Sequence, residues 1–487
     1  MDKIRIPPEL LLPRPGRAES DEAPWARSRG YFRDGWHKFL RLAPARIALG
    51  VVLAIALFSL VCPLLSSRSE SLMDPYYAKL PPRVGALSRL GIADGSVSRR
   101  LGDEGLARLY AISLGAKEGS PSAVISVGER QGRTREVKVD AYLEVGFIYK
   151  VLPRDEYERI LLYEKEGGAQ VLYPIISDSE LGDANLWYKR GEDGLPLGVA
   201  ADEIGADMPL IDNYLYDDNG DPVYALPSGY ASGDVSGSVR VRLYYYNYYL
   251  YKNGTDPSYL FGTDSQGYDL ALRVASGIRV SLLLAFATSL VNLAIGALVG
   301  AVEGYYGGAV DLVIERMTDV LSGVPFIVVA TLFQIYLSDR LGAIPSLIFA
   351  FVLTGWLTTA NRVRGQFFRY KNAEYVLAAR TMGVGDGRIM WRHIFPNTLG
   401  TLITASALAI PGVIFTESLL SFLGIVNLGA EGVTSLGTLL SDASGIWVNY
   451  PHLMIAPALV ISLLMISFNI MGNGLRDAFN PDAREGV

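Results

Sequence analysis

The sequence predicts an all-α polytopic membrane protein of six transmembrane helices, with a mixed α/β domain inserted after the first of them. Three observations predict it: six long runs free of Asp, Glu, Lys and Arg, a domain-sized stretch between the first two, and basic residues gathered on one set of flanks. Only 19 % of the 487 residues are charged and half are hydrophobic, which excludes a disordered chain, and a single cysteine excludes a disulfide-stapled secreted module. A formal net charge of −6, with no basic tract, gives nucleic acid nothing to bind.

The uncharged runs are Ile47–Ser66, Val280–Ala301, Val320–Ser338, Leu341–Asn361, Asn397–Thr416 and Pro451–Leu475. At about 1.5 Å per residue each crosses a hydrocarbon core of about 30 Å. Pro325 and Pro411 fall inside two of them, which is tolerated where neighbouring helices or water satisfy the freed carbonyls. Arg27, Arg29, Arg33, Lys38, Arg41 and Arg46 precede the first run, and Arg362, Arg364, Arg369, Lys371, Arg380, Arg388 and Arg392 separate the fourth from the fifth. Residues 427–450 hold no Lys or Arg, so the N-terminus, the loop around residue 380 and the tail are expected in the cytoplasm. More than forty residues precede the first run, too many for a signal peptide, so it stays as an anchor.

The expected organisation is a cytoplasmic segment 1–46, a first transmembrane helix 47–66 and an extracytoplasmic domain 67–265. A five-helix core follows at 266–475, with a cytoplasmic loop at 362–396, and then a cytoplasmic tail 476–487. The insertion has a net charge of −9, and residues 178–234 alone carry 13 acids against Lys189 and Arg190. Ser122–Val127, Glu136–Val151, Gln170–Ile176 and the tyrosine-rich Val239–Tyr251 read as strands. Asp217, Asp218, Asn219, Gly220 and Asp221 lack the spacing of a calcium loop and read as an Asn-Gly hairpin turn.

Chemistry is mostly missing. His37, His393 and His452 never fall at metal spacing, Cys62 has no partner, and no lysine follows a glycine, so there is no phosphate-cradling loop. No catalytic residue, metal or cofactor is expected on this chain. The informative stretch is AEYVLAARTMGVGDGRIMWRHIFPN, residues 373–397. Tyr375, Ala378, Ala379 and Met382 fall at i, i+3, i+4 and i+7 on a short amphipathic helix that Gly383 stops, and Asp386 is placed to cap a second helix. Its small-residue face suits another protein's groove better than a lipid surface.

These residues resemble the cytoplasmic coupling motif of permease subunits of ABC importers, in particular the oligopeptide/dipeptide permease C subunits. The resemblance covers roughly residues 260–482. FGTDSQGYDL (261–270) precedes the second run, Arg279 to Leu282 open it, and GYYGG (304–308), ESLLSFLG (417–424) and GNGLRDAFNPD (472–482) follow in order. Leu377 stands where the motif has Glu before Ala-Ala, Phe395 replaces leucine before Pro396, Tyr268 replaces arginine and Asn473 an acid. The long insertion has no counterpart in the family pattern.

The resemblance implies the type I ABC importer permease fold and half of a pathway for di- or oligopeptides. A second homologous permease would form the other half. Two ATPases would carry ATP and Mg, and an extracytoplasmic solute-binding protein would deliver substrate, all within a bacterial-type inner membrane. For coupling it points to Glu374, Tyr375, Ala378, Ala379, Arg380, Gly383, Arg388 and Pro396, with the two alanines and Gly383 packing closely and the charged residues at the rim. Glu417 is a candidate intramembrane polar site, or else pairs with polar groups of a neighbouring helix. A permease of the same family for nickel or sugar, and a membrane-anchored ligand receptor, are the rival readings. The insertion is expected to dock the solute-binding protein, with a solute-binding domain or a spacer as alternatives.

Overall fold

The computed structural model describes residues 31–479, except 67, 89–90, 117–120, 178–181 and 228–236; Arg27 and Arg29, and the ends of the acidic stretch 178–234, lie outside the described residues. The chain splits into two compact units, Met1–Ile55 with Leu283–Thr416 and Ser462–Val487, and Ala56–Leu282 with Glu417–Ile461.

The first membrane element is α2 (Ala43–Leu65), preceded by the amphipathic α1 (Tyr31–Arg41). Phe39 of α1 is fully buried in a small cluster with Ala45, Leu475 and Phe479.

In the second unit, α3 (Gly85–Ser88) leads into an antiparallel sheet of order β1-β3-β2, made from β1 (Ser96–Gly102), β2 (Val124–Gln131) and β3 (Thr134–Asp140), with α4 (Asp103–Gly115) between its first two strands in sequence. A second sheet follows from β4 (Phe147–Pro153), α5 (Arg154–Lys165), β5 (Leu172–Tyr173), β6 (Ala225–Pro227) and β7 (Ser238–Tyr244), in which β7 pairs with the other three strands. The expected strand Glu136–Val151 is therefore two, β3 and β4, turned over residues 141–146.

The expected strand Val239–Tyr251 also needs correction. It pairs with β4 only as far as Tyr244 opposite Phe147, then becomes the helix α6 (Tyr245–Asn253). Tyrosine favours strands only weakly against tertiary packing, and here Tyr245 to Tyr249 are all buried in the helix. Gly254, left-handed at φ +67°, ends the helix. The Asn-Gly segment does form a tight turn: Asp217 N–H donates to the Asp221 carbonyl at 2.9 Å, and the Asp217 carboxylate accepts from the Asn219 and Asp221 amides.

Five helices among the described residues are long and apolar enough to span: Ala43–Leu65, Leu270–Tyr306, Ala343–Tyr370, Asp386–Phe422 and Pro451–Phe479. In chain order the remaining helices are α7 (Leu270–Tyr306), α8 (Gly308–Ser322), α9 (Phe326–Leu341), α10 (Ala343–Tyr370), α11 (Glu374–Thr381), α12 (Asp386–Arg388), α13 (Phe395–Phe422), α14 (Leu436–Ser444) and α15 (Pro451–Phe479). Most run beyond the uncharged stretches, because a backbone helix does not stop where the hydrocarbon does.

The expected third span, Val320–Ser338, is not one helix. It straddles the break between α8 and α9, which form a bent pair at 76° and count as a sixth span only if taken together. Pro325 sits at the N-cap of α9 and not inside a helix. Proline offers no N–H to the preceding turn and pushes Val324 away from helical geometry, while Gly323 caps α8. Pro411 does lie within α13, as Pro457 does within α15.

Helix α7 meets α10 along Gly296, Gly300 and Gly304, spaced four apart. A Cβ on Gly296 would lie 2.8 Å from the Trp356 carbonyl, and one on Gly300 would overlap the Ala360 carbonyl. Only glycine lets these two backbones approach so closely. This seam positions the C-terminal ends of both helices, where the short helix α11 rests.

Candidate functional site

Helix α11 starts at Glu374, an acid in the first turn that suits the helix dipole in place of a capping side chain, since the N-cap is Ala373. It ends in a Schellman arrangement: Gly383 at φ +78° donates to the Arg380 carbonyl at 3.0 Å, and Val384 to the Ala379 carbonyl at 3.1 Å. Gly383 is thus the stop that the sequence suggests.

The two faces of α11 differ. Val376 and Ala379 are buried, and Val376 belongs to an apolar cluster with Ala301 and Tyr305 of α7, Val363 and Phe367 of α10, and Ile389, Met390 and Ile394 beyond α12. Glu374, Tyr375, Leu377, Ala378 and Met382 are exposed, Met382 to 76 %. The alanine pair is therefore divided, Ala379 packing inside its own chain and Ala378 facing outward. Arg380 lies over the Tyr305 ring at 5.7 Å, Arg388 is exposed, and Pro396 enters α13 one residue after its start. Tyr375 Oη accepts from Asn397 Nδ2 at 3.1 Å, tying α11 to the start of α13.

Asp386 does not cap the second helix. The N-cap is Gly385, and the Asp386 carboxylate instead accepts the Tyr305 hydroxyl at 2.6 Å, with Arg380 reaching the same hydroxyl at 3.4 Å. That helix is only α12, followed by a wider π-type turn over Ile389–Ile394 that leads into α13. Nearby, Arg364 of α10 gathers three carboxylates: Glu303 of α7 at 3.2 Å, and Asp311 at 2.5 Å and Glu315 at 3.4 Å, both on α8. These residues escaped the sequence reading, where Arg364 counted only toward topology. The GYYGG stretch holding Tyr305 was the available signal.

Glu417, near the end of α13, is 1 % exposed. Four serine hydroxyls point at its carboxylate. Ser435 at 2.6 Å and Ser421 at 3.1 Å donate to Oε1, and Ser281 at 3.2 Å and Ser418 at 3.4 Å donate to Oε2. Ser435 is also the N-cap of α14, closing a capping box with Thr438. A Cβ on Gly277 would sit 3.0 Å from the Leu436 nitrogen, and one on Gly437 2.6 Å from Ser418 Cα, so backbones crowd around this carboxylate. Hydroxyl donors stand in for water around the acid and join α7, α13 and α14.

The chain is similar to known proteins along the same stretches. Residues 292–485 match the family described as binding-protein-dependent transport system inner membrane component, and residues 30–82 the N-terminal TM domain of oligopeptide transport permease C. Over 226 residues it is 38 % identical to the oligopeptide transport system permease protein OppC of Bacillus subtilis (strain 168), covering 46 % of this chain and 72 % of that one. The OppC of Escherichia coli (strain K12) is 40 % identical over 230 residues, with coverage of 47 % and 74 %. For the dipeptide transport system permease protein DppC of Lactococcus lactis subsp. cremoris (strain MG1363) the identity is 39 % over 228 residues, and the match spans 47 % of this chain and 65 % of that one. A solved chain of the inward-facing MetNI methionine ABC transporter shares 16 % identity over 43 % of this chain and 96 % of that one, at a TM-score of 0.36, too slight a likeness to weigh.

Apolar helices in this number, a short surface helix seated on two of them and these relatives define a multi-pass inner-membrane permease of the ABC-importer class. The chain belongs to the binding-protein-dependent transport system inner membrane components, among the permease C proteins of oligopeptide and dipeptide transport.

Proposed function

We propose that this chain forms half of the translocation pathway of an importer for di- or oligopeptides. A second homologous permease supplies the other half, and two separate ATPases, which carry ATP and Mg, dock on the cytoplasmic side. The observation that carries this reading is the two-faced helix α11: an exposed outer side of Glu374, Leu377 and Ala378, edged by Tyr375 and Met382, is backed by the buried Val376 and Ala379, and Val376 is locked against the chain's own helices. A helix held rigidly on one side and bare on the other suits a partner's groove, and passes that partner's movement to α7 and α10.

The N-terminus and the 362–396 loop lie in the cytoplasm under this reading, and the domain between the first two membrane helices outside it. Exposed acids on that domain, among them Glu192, Asp202, Asp207 and Asp218, suit docking of a solute-binding protein with a basic face. Reconstitution tests the function. Proteoliposomes holding both permeases, the ATPases and the binding protein should hydrolyse ATP faster when a peptide is added, and nickel or a sugar should not substitute. Stimulation by nickel or sugar alone would move the chain to another branch of the family. Topology has its own check: in a Cys62→Ser background, cysteines at Asn372 and at Ala430, both exposed, should label from opposite sides of sealed cells. Labelling of both by an impermeant reagent from outside rules out this orientation.

A further inference from the structure

The domain that follows the first membrane helix holds a cavity of about 330 Å³ whose wall is one face of α6, with Tyr245, Tyr248, Tyr249 and Lys252 at i, i+3, i+4 and i+7. Tyr76 and Tyr259 complete the aromatic lining. The volume falls in the range of small-ligand sites, about 300 to 1,000 Å³. Its charged groups are mostly spent on one another. Arg68 donates to Tyr249 Oη at 2.9 Å and to the Ser258 carbonyl at 2.7 Å, and pairs with Asp269 at 3.3 Å. Asp74 accepts the Tyr245 hydroxyl at 2.5 Å, and Lys252 pairs with Glu156 at 2.6 Å.

Lys150 is the exception. It projects from β4 into the cavity and its ammonium stands 4.7 Å over the Tyr248 ring; among the described residues it closes no ion pair, and its charge acts only at longer range on Asp74 and Glu156. Lys252 lies over the same ring at 5.8 Å. An ammonium with no close carboxylate, beside a second and at the edge of an aromatic chamber, suits a small anion with an apolar or aromatic body.

We infer that this cavity binds a carboxylate-bearing small molecule, with Lys150 on the carboxylate and the tyrosines on its apolar part. Resting on the importer reading above, that molecule is the C-terminal end of a short peptide. The domain then takes part in receiving substrate before the membrane helices do.

The test uses the full chain in lipid nanodiscs and calorimetric titration with three probes: the dipeptide Phe-Ala, its C-terminal amide, and 3-phenylpropionate. Phe-Ala should bind, and the amide about tenfold more weakly, the worth of one charge-assisted hydrogen bond. Lys150→Met should erase that difference and Lys150→Arg should keep it, which separates loss of the ammonium from loss of the fold. Equal binding of acid and amide by the unaltered chain, or binding of neither, overturns the site. Equal binding of 3-phenylpropionate and Phe-Ala supports a carboxylate cavity but overturns its assignment to peptides. None of these results bears on reconstituted transport, so the cavity and the importer reading fail separately.

Discussion

Glu417→Ala is expected to destabilise the chain by on the order of 3 kcal/mol or more, since buried donors left without an acceptor cost about 1 to 3 kcal/mol each. Four serine hydroxyls converge on this carboxylate, the shortest bond being 2.6 Å from Ser435. Two of those serines have no slack, because Ser435 already accepts the Thr438 amide and Ser281 the Leu436 amide. Both hydroxyls are thereby oriented to donate, and an apolar replacement leaves them facing nothing. Glu417→Gln should fall between, because one amide oxygen still accepts while the amide N–H groups face hydroxyl oxygens that are partly engaged. Thermal melting of the purified chain in detergent, followed by tryptophan fluorescence, should rank unaltered chain, Gln and Ala in descending order. An alanine variant that melts with the unaltered chain would show that the serines find other partners.

The membrane helices were legible in the sequence because a bilayer leaves the chain little choice: about 20 apolar residues in a row have few other uses. The break at Gly323–Pro325 was less so. The charge-free window from Val320 to Ser338 scores hydrocarbon, whereas the bend depends on the missing proline N–H, a backbone matter that composition does not register. Tyr245–Asn253 misled for a related reason, since its tyrosines carry strand preference while tertiary packing buries Tyr245 to Tyr249 as a helix.

Glu417 stood out in sequence as an acid beside a long apolar run, yet Ser281 and Ser435 come to it from 136 and 18 residues away. The pairing of Tyr305 with Asp386 spans 81 residues and is equally hidden. In α11 the stripe Tyr375, Ala378, Ala379, Met382 has the right period but straddles the boundary between buried and exposed. Its rotation is fixed by Val376 against Ile389, Met390 and Phe367, and a one-dimensional pattern does not contain that contact.

That rotation sets apart two neighbouring alanines. Ala379 is 2 % exposed, so Ala379→Arg should act on the chain itself: overpacking costs about 1 to 3 kcal/mol and a buried charge more, and less folded protein should reach the membrane. Ala378 is exposed in this chain, so Ala378→Arg should leave expression and melting unchanged. If the outer face of α11 enters an ATPase groove, the same bulk and charge fall on the partner contact, and peptide-stimulated ATP hydrolysis and uptake should drop by about tenfold or more. Met382→Asp should do likewise, being more exposed still, at 76 %. The comparison is made in proteoliposomes at matched protein amounts, with basal ATP hydrolysis of the ATPases as the internal control. Normal uptake by Ala378→Arg and Met382→Asp would remove this face from coupling. A fully folded Ala379→Arg chain that couples poorly would instead mean that α11 turns its other side to the ATPases in the assembled importer.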